Sequence, residues 1–435
     1  MTTQAAVRAI LLIALPFMQT SSGLTSDERA LATYVDAHNH EALALLERVV
    51  NINSGTQNFE GVREVGRAFR AELDALGFST RWVDGAAFKR AGHLVADHPG
   101  AGPRMLLIGH LDTVFEKDSP FQKFERLDDR TARGPGVIDM KGGNVVMIGA
   151  LKALQAGGAL KTMNVVVVMT GDEEDSGDPL SAARAALVAA ARGADLAIGF
   201  EDGPGDPKLA VTARRGTTGW ELRVTGTPAH SSQVFRDDIG YGAVYEMARI
   251  LNGFREKMAG EAHLTFNPGV MVDGTTVDFD PMQLRGSAFG KTNVIAEHAV
   301  VSGDLRALSP EQFEKAKQIM TEIVGASLPH TSATIKFDEG YPPMAPTEGN
   351  AKLLAMYDQA SRDLGFGAVT AVSPDRAGAA DVSFVAGEVK MIIDGVGLMG
   401  HDDHTVKETA DLATLPSQTK RMAVLLHRIV KGATH

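Results

Sequence analysis

The chain contains no cysteine among its 435 residues. Disulfide bonds, thiolate metal ligands and cysteine nucleophiles are therefore excluded, and any transition-metal site must use histidine and carboxylate side chains. A basic excess is also lacking, because 54 acidic residues outnumber 43 lysines and arginines and give a formal net charge of −11. A general nucleic-acid-binding face needs the opposite balance, so we expect no nucleic-acid partner.

Long hydrophobic segments are equally scarce. The apolar run Ala9–Leu15 follows Arg8 and precedes small polar residues, and it is too short to span a bilayer, which takes about 20 apolar residues. Its layout is typical of a secretory signal peptide, with a buried N-terminal helix as the alternative. We therefore expect a signal peptide over residues 1–23, a periplasmic or secreted mature protein, and no membrane association after signal removal.

Hydrophobic residues are abundant, and the pattern in which they recur differs between successive parts of the chain. Short apolar runs at 105–109 and 164–169 alternate with helical patterns, as in an α/β layer whose parallel strands are buried on both faces. From residue 212, strands of alternating polarity surround two helices, which predicts an α+β block with one exposed sheet face. After this block, the chain returns to the α/β pattern of its first part. We therefore expect one domain formed by residues 24–211 and 327–435, with a second domain, residues 212–326, inserted in it.

Acidic and histidine side chains follow the buried strands at the point where each strand ends. The candidate residues are His110, Asp112, Asp139, Glu173, Glu174, Glu201 and His404. Each fragment by itself has an ordinary explanation, such as a helix cap, a solvated turn or a surface histidine. Their shared location is more informative, because open α/β sheets bind ligands at the carboxyl ends of their strands.

These residue types suit a pair of divalent cations. Zinc accepts imidazole nitrogen and carboxylate oxygen, and two ions about 3.5–4 Å apart need a bridging carboxylate. A neighbouring free carboxylate can take a proton from a bound water, and the adjacent acids Glu173 and Glu174 can point in different directions. Asp112, two residues after His110, can orient the imidazole.

In this order, the residues resemble the two-zinc exopeptidase and deacylase family, peptidase family M20, which includes glutamate carboxypeptidase, acetylornithine deacetylase and succinyl-diaminopimelate desuccinylase. The resemblance covers about residues 30–430. It rests on Gly109-His110-Leu111-Asp112-Thr113-Val114, Gly136-Val137-Ile138-Asp139-Met140-Lys141-Gly142-Gly143, Asp172-Glu173-Glu174, Phe200-Glu201 and His404-Thr405 with Glu408. It implies an α/β fold: a zinc-exopeptidase-like catalytic domain with a mainly parallel sheet, and an inserted α+β ferredoxin-like lid and dimerisation domain.

The resemblance also implies a ligand set for two zinc ions per subunit, with Co²⁺ or Mn²⁺ as possible substitutes. One ion would be held by His110, Asp139 and Glu201, and Asp139 would bridge to a second ion completed by Glu174 and His404. His401 is the weaker alternative to His404. In the family, the peptide bond after the bridging aspartate is often cis, which here is Asp139-Met140.

Catalytic and substrate-binding roles follow from the same resemblance. Glu173 resembles the general base, Asp112 the acid that orients His110, and His230 the lid histidine that reaches the scissile carbonyl, often in the partner's active site. The residues expected to bind substrate are Asn293, Arg306 and the glycine-rich loop at Gly378. We therefore expect a homodimer formed through the lid.

The resemblance predicts hydrolysis of an amide or peptide bond next to a free carboxylate, in the manner of a carboxypeptidase acting on peptides or N-acyl amino acids. One departure bears on specificity: Tyr341 stands where glutamate-specific members carry an arginine, and it cannot form a bidentate carboxylate pair. A glutamate preference is therefore not expected. The alternatives are an N-acyl-amino-acid deacylase, less favoured an aminopeptidase, and a non-catalytic metal-dependent binding protein.

Overall fold

The computed structural model describes residues 23–432. The predicted signal peptide lies, apart from Gly23, outside the described residues. Within the described range, no helix combines the length and the apolar character that a bilayer-spanning helix needs.

Some helices of the described chain begin at side-chain caps. Ser309 accepts a hydrogen bond from the Gln312 N–H, and Thr347 accepts one from the Asn350 N–H, so both hydroxyls satisfy otherwise unpaired donors of a first helical turn. The α-helices are α1 (Ser26–Ala37), α2 (Asn39–Val50), α3 (Phe59–Ala75), α4 (Lys141–Ala156), α5 (Leu180–Ala183), α6 (Ala185–Ala191), α7 (Gly242–Met258), α8 (Pro310–Gly325), α9 (Glu348–Asp363) and α10 (Thr414–Gly432).

A six-stranded sheet is formed by β1 (Ser79–Asp84), β2 (Gly92–His98), β3 (Arg104–His110), β6 (Asn164–Thr170), β7 (Leu196–Gly199) and β16 (Ile392–Ile393), in the spatial order β1-β2-β6-β3-β7-β16. The pairs from β6 to β16 are parallel, whereas β1 and β2 form an antiparallel edge. Along β3, Leu107 packs into one hydrophobic core, while Leu106 and Ile108 pack into another. The sheet is thus buried on both faces, as its continuous apolar runs predict.

A separate four-stranded antiparallel sheet is formed by β9 (Gly216–Gly226), β10 (Thr265–Gly274), β13 (His298–Ala307) and β14 (Thr331–Phe337), in the order β10-β13-β9-β14. Trp220, Leu222 and Val224 of β9 are buried in a core shared with α7 and α8, which confirms the alternating pattern. The hairpin of β11 (Thr276–Asp280) and β12 (Arg285–Phe289) was not predicted.

Two further details differ from the sequence-based expectation. Strand β14 pairs with β9, so the antiparallel sheet continues beyond residue 326, where its last helix suggested an end. The Ala-rich pattern of residues 180–191 predicts one helix, but the structure has two helices, because the backbone breaks at Arg184 and its guanidinium group reaches buried carboxylates. The remaining strands form small sheets: β4 (Glu125–Arg126), β5 (Thr131–Arg133), β17 (Gly400–His401) and β18 (Thr409–Asp411), and β8 (Leu209–Ala210) with β15 (Thr370–Ala371).

Candidate metal centre and active site

Three neighbouring parallel strands bring the candidate residues to one edge of the six-stranded sheet. Strand β3 ends at His110, β6 ends just before the loop that carries Glu173 and Glu174, and β7 ends two residues before Glu201. Because β6, β3 and β7 are adjacent and parallel, their carboxyl ends open into the same space.

Two groups of possible metal ligands meet there, and they share Asp139. Within each group the ligand atoms all lie within 4.8 Å of one another, and the groups are His110 with Asp139 and Glu201, and Asp139 with Glu174 and His404. One carboxylate oxygen of Asp139 lies 3.0 Å from Nε2 of His110, and the other lies 2.8 Å from Nε2 of His404. His404, rather than His401, belongs to the second group.

The donor set fits a pair of borderline divalent cations. Each group offers one imidazole and two carboxylates, and the two oxygens of Asp139 face different groups, as a bridging ligand requires. Hydrogen bonds to Asp139 and Glu174 raise the pKa of His404 to about 11. Burial opposes protonation of His110, but the charge of Glu201 and hydrogen bonds to Asp112 and Asp139 hold its pKa well above the usual value. The clustered carboxylates therefore favour positive charge at both histidines.

The segment that carries Asp139 is fixed by a buried carboxylate. Oε1 of Glu408 accepts hydrogen bonds from the Ile138 and Asp139 N–H groups, and Oε2 accepts one from Gly136, at 2.9–3.2 Å. The following peptide bond, Asp139-Met140, is cis, as the resemblance implies. Burial raises the pKa of Glu408 to about 8, although its three N–H donors oppose that rise.

Asp112 connects the end of β3 with the loop after β6. Its carboxylate accepts hydrogen bonds from the Thr56 hydroxyl at 2.7 Å and from the Glu173 and Glu174 N–H groups at 3.1 Å. The nearest acceptor to Nδ1 of His110 is the main-chain oxygen of Asp112, at 3.1 Å, while its carboxylate lies at 3.5 Å. Asp112 thus orients the imidazole chiefly through its backbone and holds the glutamate loop with its side chain.

Glu173 faces the same cavity as the metal ligands but belongs to neither ligand group. Burial raises its pKa well above the usual value, and the charges of Asp381, Glu174 and Asp139 add to the rise. A raised pKa makes a carboxylate a better proton acceptor, which suits a group that takes and returns a proton beside a cation site.

The cavity has a volume of about 400 Å³, and its lining includes Asp139, Glu173 and Glu201. Gly378 also lines it, so the predicted glycine-rich loop lies beside the site. Two guanidinium groups contribute to the wall, those of Arg214 and Arg376. Arg214 is held by the Asp394 carboxylate and by the main-chain oxygen of Gly378.

Three predicted residues are not among those that line the cavity: Arg306 lies on β13, and His230 and Asn293 lie in the segments that follow β9 and β12. His230 is exposed, and its Nδ1 lies 2.8 Å from the Ser232 hydroxyl. Asn293 is also exposed, and Nε of Arg306 donates to the Asp304 carboxylate on the same strand.

Sequence reasoning missed two structural contributors. Glu408 was noted only for its spacing from His404, and its three N–H contacts join segments about 270 positions apart. Arg184 is 2% exposed and forms ion pairs with Asp172 and Asp381. In the sequence, Arg184 is a single charged residue in an Ala-rich segment. That pattern predicts that this helix face is buried, but it does not identify the residues that Arg184 contacts.

Comparisons with known proteins agree with this geometry. The model of peptidase family M20/M25/M40 matches residues 106–428. Carboxypeptidase G2 of Pseudomonas sp. strain RS-16 is 27% identical over 398 residues, which cover 89% of each chain. Succinyl-diaminopimelate desuccinylase of Acidiphilium cryptum is 34% identical over 119 residues, 26% of this chain and 29% of that protein.

Solved structures share the fold. Aminopeptidase PepT from Bacillus cereus superposes with a TM-score of 0.72 at 17% identity and covers 90% of this chain and 98% of its own. The metallo-carboxypeptidase Sso-CP2 from Sulfolobus solfataricus superposes with a TM-score of 0.64 at 16% identity and covers 90% and 99%. At these identities the likeness concerns the fold alone.

Proposed function

Because the chain belongs to peptidase family M20/M25/M40, we propose that this metallohydrolase is a carboxypeptidase-like enzyme that cleaves an amide or peptide bond next to a free carboxylate. The observation that carries the proposal is the shared position of Asp139 between two ligand groups, with Glu173 free in the same cavity. A site that only binds a metal has no need of a free buried carboxylate beside it.

Two zinc ions would be held by His110, Asp139, Glu201, Glu174 and His404, with Co²⁺ or Mn²⁺ as substitutes. Such ions supply Lewis acidity, which lowers the pKa of a coordinated water and polarises a carbonyl group. Glu173 takes the proton of the attacking water and returns it to the leaving nitrogen. Asp112 fixes the positions of Glu173 and His110 relative to each other, because it contacts both.

Recognition of the substrate carboxylate requires a cation near the site. Arg376 and Arg214 line the cavity, and Arg214 is already paired with Asp394. We assign the carboxylate contact to Arg376, with Arg306 joining it from the antiparallel sheet. Tyr341 supplies no cation, so no preference for a C-terminal glutamate is proposed.

The antiparallel sheet would serve as a ferredoxin-like lid and dimerisation domain, inserted between residues 24–211 and the last part of the chain. Its strand order, β10-β13-β9-β14, supports the ferredoxin-like assignment. Near His230 it exposes Phe235 and Tyr245, which are 53% and 54% accessible and contact each other with tilted rings whose centres are 5.1 Å apart. Exposed aromatic clusters are typical of interaction sites, so we propose a homodimer in which His230 and Asn293 act at the partner's cavity.

A panel of amide substrates tests the proposed activity most directly. Zinc-loaded protein should hydrolyse dipeptides or N-acyl amino acids, lose that activity with a chelator, and fail on the same compounds when their carboxylate is amidated. Faster hydrolysis of N-acyl amino acids than of dipeptides would select the deacylase alternative, which the match to a desuccinylase favours. Binding of these compounds without hydrolysis would instead indicate a binding protein.

The role of Glu173 is tested by Glu173→Gln. Turnover should fall by about two to four orders of magnitude, as expected for loss of a general base, while two metals remain bound. Asp175→Asn is the matched control, since Asp175 is an exposed acid of the same loop paired with Arg90. Normal turnover of the Glu173→Gln variant would refute the assignment.

Export to the periplasm or medium is proposed from the apolar run Ala9–Leu15 alone. Amino-terminal sequencing of the protein from its native cells should find a mature start near Leu24. A start at Met1 would contradict the proposal.

A further inference from the structure

The side chain of Tyr341 reaches the loop of the proposed general base from the junction between the two sheets. Strand β14 ends at Phe337, and the main-chain oxygen of Tyr341 accepts a hydrogen bond from the Thr217 N–H at the start of β9. The Tyr341 hydroxyl lies 2.8 Å from the main-chain oxygen of Glu173. One residue thus contacts both the return from the antiparallel sheet and the loop after β6.

The directions of the hydrogen bonds at this hydroxyl follow from its partners. It lies 2.8 Å from Nη2 of Arg184 and 3.0 Å from Oγ of Ser176. A guanidinium group can only donate and a carbonyl oxygen can only accept. The single hydroxyl proton of Tyr341 therefore goes to the Glu173 carbonyl, and the hydroxyl oxygen accepts from Arg184 and Ser176.

Arg184 fixes the tyrosine in place. Its guanidinium carbon lies 5.6 Å from the ring centre of Tyr341 and 5.2 Å from that of Phe384. The same group forms ion pairs with Asp172, just before Glu173, and with Asp381, in the loop next to Gly378. A buried guanidinium with this many partners holds one geometry.

The backbone on both sides of the Glu173 Cα is therefore held by hydrogen bonds. Its N–H donates to Asp112 at 3.1 Å, and its carbonyl accepts from Tyr341 at 2.8 Å. Asp112 also holds the N–H of Glu174, which belongs to the same peptide unit as the Glu173 carbonyl, so Asp112 and Tyr341 together fix the peptide that follows the Glu173 Cα. Because the direction of the Glu173 side chain follows from the two peptide units beside its Cα, the Tyr341 contact contributes to that direction.

We propose that Tyr341 is a positioning residue that aims the Glu173 carboxylate into the cavity. This inference rests on the proposed function, in which Glu173 is the general base. Tyr341 touches neither substrate nor metal ligand in this role. It acts through the backbone of the loop, and it makes the aim of Glu173 depend on the junction between the two sheets.

The test is Tyr341→Phe, assayed on zinc-loaded protein with the best substrate of the amide panel. The value of kcat should fall about tenfold, because a small misplacement of a catalytic group is costly, while KM stays within about twofold and two zinc ions remain bound. Tyr357→Phe is the matched control: its hydroxyl is also buried, lies 3.2 Å from Oε1 of Gln418 between α9 and α10, and has no contact with the site. Its kcat should stay within about twofold of wild type.

A double variant adds a readout that a merely structural role would not move. If Tyr341 acts through Glu173, then Tyr341→Phe should cost no further activity in the Glu173→Gln background. Should Tyr341→Phe not fold, Phe384→Leu takes its place. It keeps the hydroxyl but removes the ring that packs edge-on against Tyr341 at 4.7 Å, so it should also lower kcat at unchanged KM.

The outcomes separate the two proposals. A wild-type protein that hydrolyses nothing in the panel refutes the proposed function. An active wild type with Tyr341→Phe within about twofold of its kcat overturns the positioning role alone, since a tenfold loss is expected. Loss of zinc from Tyr341→Phe, or an equal loss of kcat in Tyr357→Phe, overturns it as well.

Discussion

Asp139 is the residue on which both ligand groups depend. Its two oxygens contact different imidazoles, and its N–H is held by Glu408. The motif around Asp139 predicted that it would belong to both candidate ligand groups, and the geometry places it in both. The clamp by Glu408 was not predictable, because it depends on the fold that brings the last fifth of the chain against residues 136–139.

The Glu408 clamp gives a first prediction at this scale. In Glu408→Gln, the nitrogen of the new side-chain amide would face main-chain N–H donors. The side chain could not move away from them, because Glu408 is fully buried. We expect metal affinity to fall about 10–100-fold, as when supporting partners of metal ligands are changed. Competition with a chromogenic chelator measures this affinity.

Glu60→Gln is the matched control for that measurement. Glu60 is an exposed helix residue whose side chain pairs with Arg67 at the surface, so its substitution should leave metal affinity unchanged. Unaltered affinity in Glu408→Gln would show that the Asp139 segment keeps its shape without this carboxylate.

At the scale of elements, the sequence predicted the buried parallel strands better than the other strands and helices. The runs that became β3, β6 and β7 were found because parallel strands buried on both faces are continuously apolar. Strand β2, which lies between β1 and β6, and the β11–β12 hairpin were missed, because strand propensity depends on tertiary context. The break between α5 and α6 was missed for the same reason: the buried contacts of Arg184 outweigh the helix propensity of its alanine neighbours.

The start of α4 gives a prediction for an element. A Cβ at Gly143 would lie 1.8 Å from the main-chain oxygen of Phe200, the residue before Glu201. Gly143→Ala should therefore push α4 from the end of β7 and lower the free energy of unfolding by about 1–3 kcal/mol, with weaker metal binding. Chemical denaturation of the metal-free and zinc-loaded protein measures both effects.

Gly325→Ala is the control, since a Cβ at this position in α8 meets no atom within 4 Å. It should be neutral or slightly stabilising, because alanine is the better helix former. Equal stabilities of the Gly143→Ala and Gly325→Ala proteins would contradict the close packing of α4 against β7.

For the whole molecule, the two sheets carry different parts of the proposed machinery. Three of the candidate metal ligands, Asp139, Glu201 and His404, line one cavity together with Glu173 and Arg376. Arg306 lies on β13 of the antiparallel sheet, and His230 lies in the segment that follows β9. The change of hydrophobic pattern near residue 212 predicted two sheet types, but the pattern does not encode whether, in the proposed homodimer, His230 acts at the cavity of its own subunit or at that of the partner.

Complementation tests this division between subunits. Glu173→Gln and His230→Ala proteins should each be nearly inactive alone. If His230 acts at the partner's cavity, co-expression of both variants restores up to about a quarter of wild-type activity, because half of the dimers are mixed and each has one complete site. No recovery in purified mixed dimers would place His230 at the cavity of its own subunit.

The shared ligand Asp139 can be examined directly by anomalous diffraction at the zinc absorption edge from crystals of the zinc-loaded protein. The account predicts two zinc peaks about 3.5–4 Å apart, one bound by His110 and Glu201, the other by Glu174 and His404, with Asp139 bonded to both. A single peak, or two peaks without Asp139 between them, would contradict the dinuclear centre.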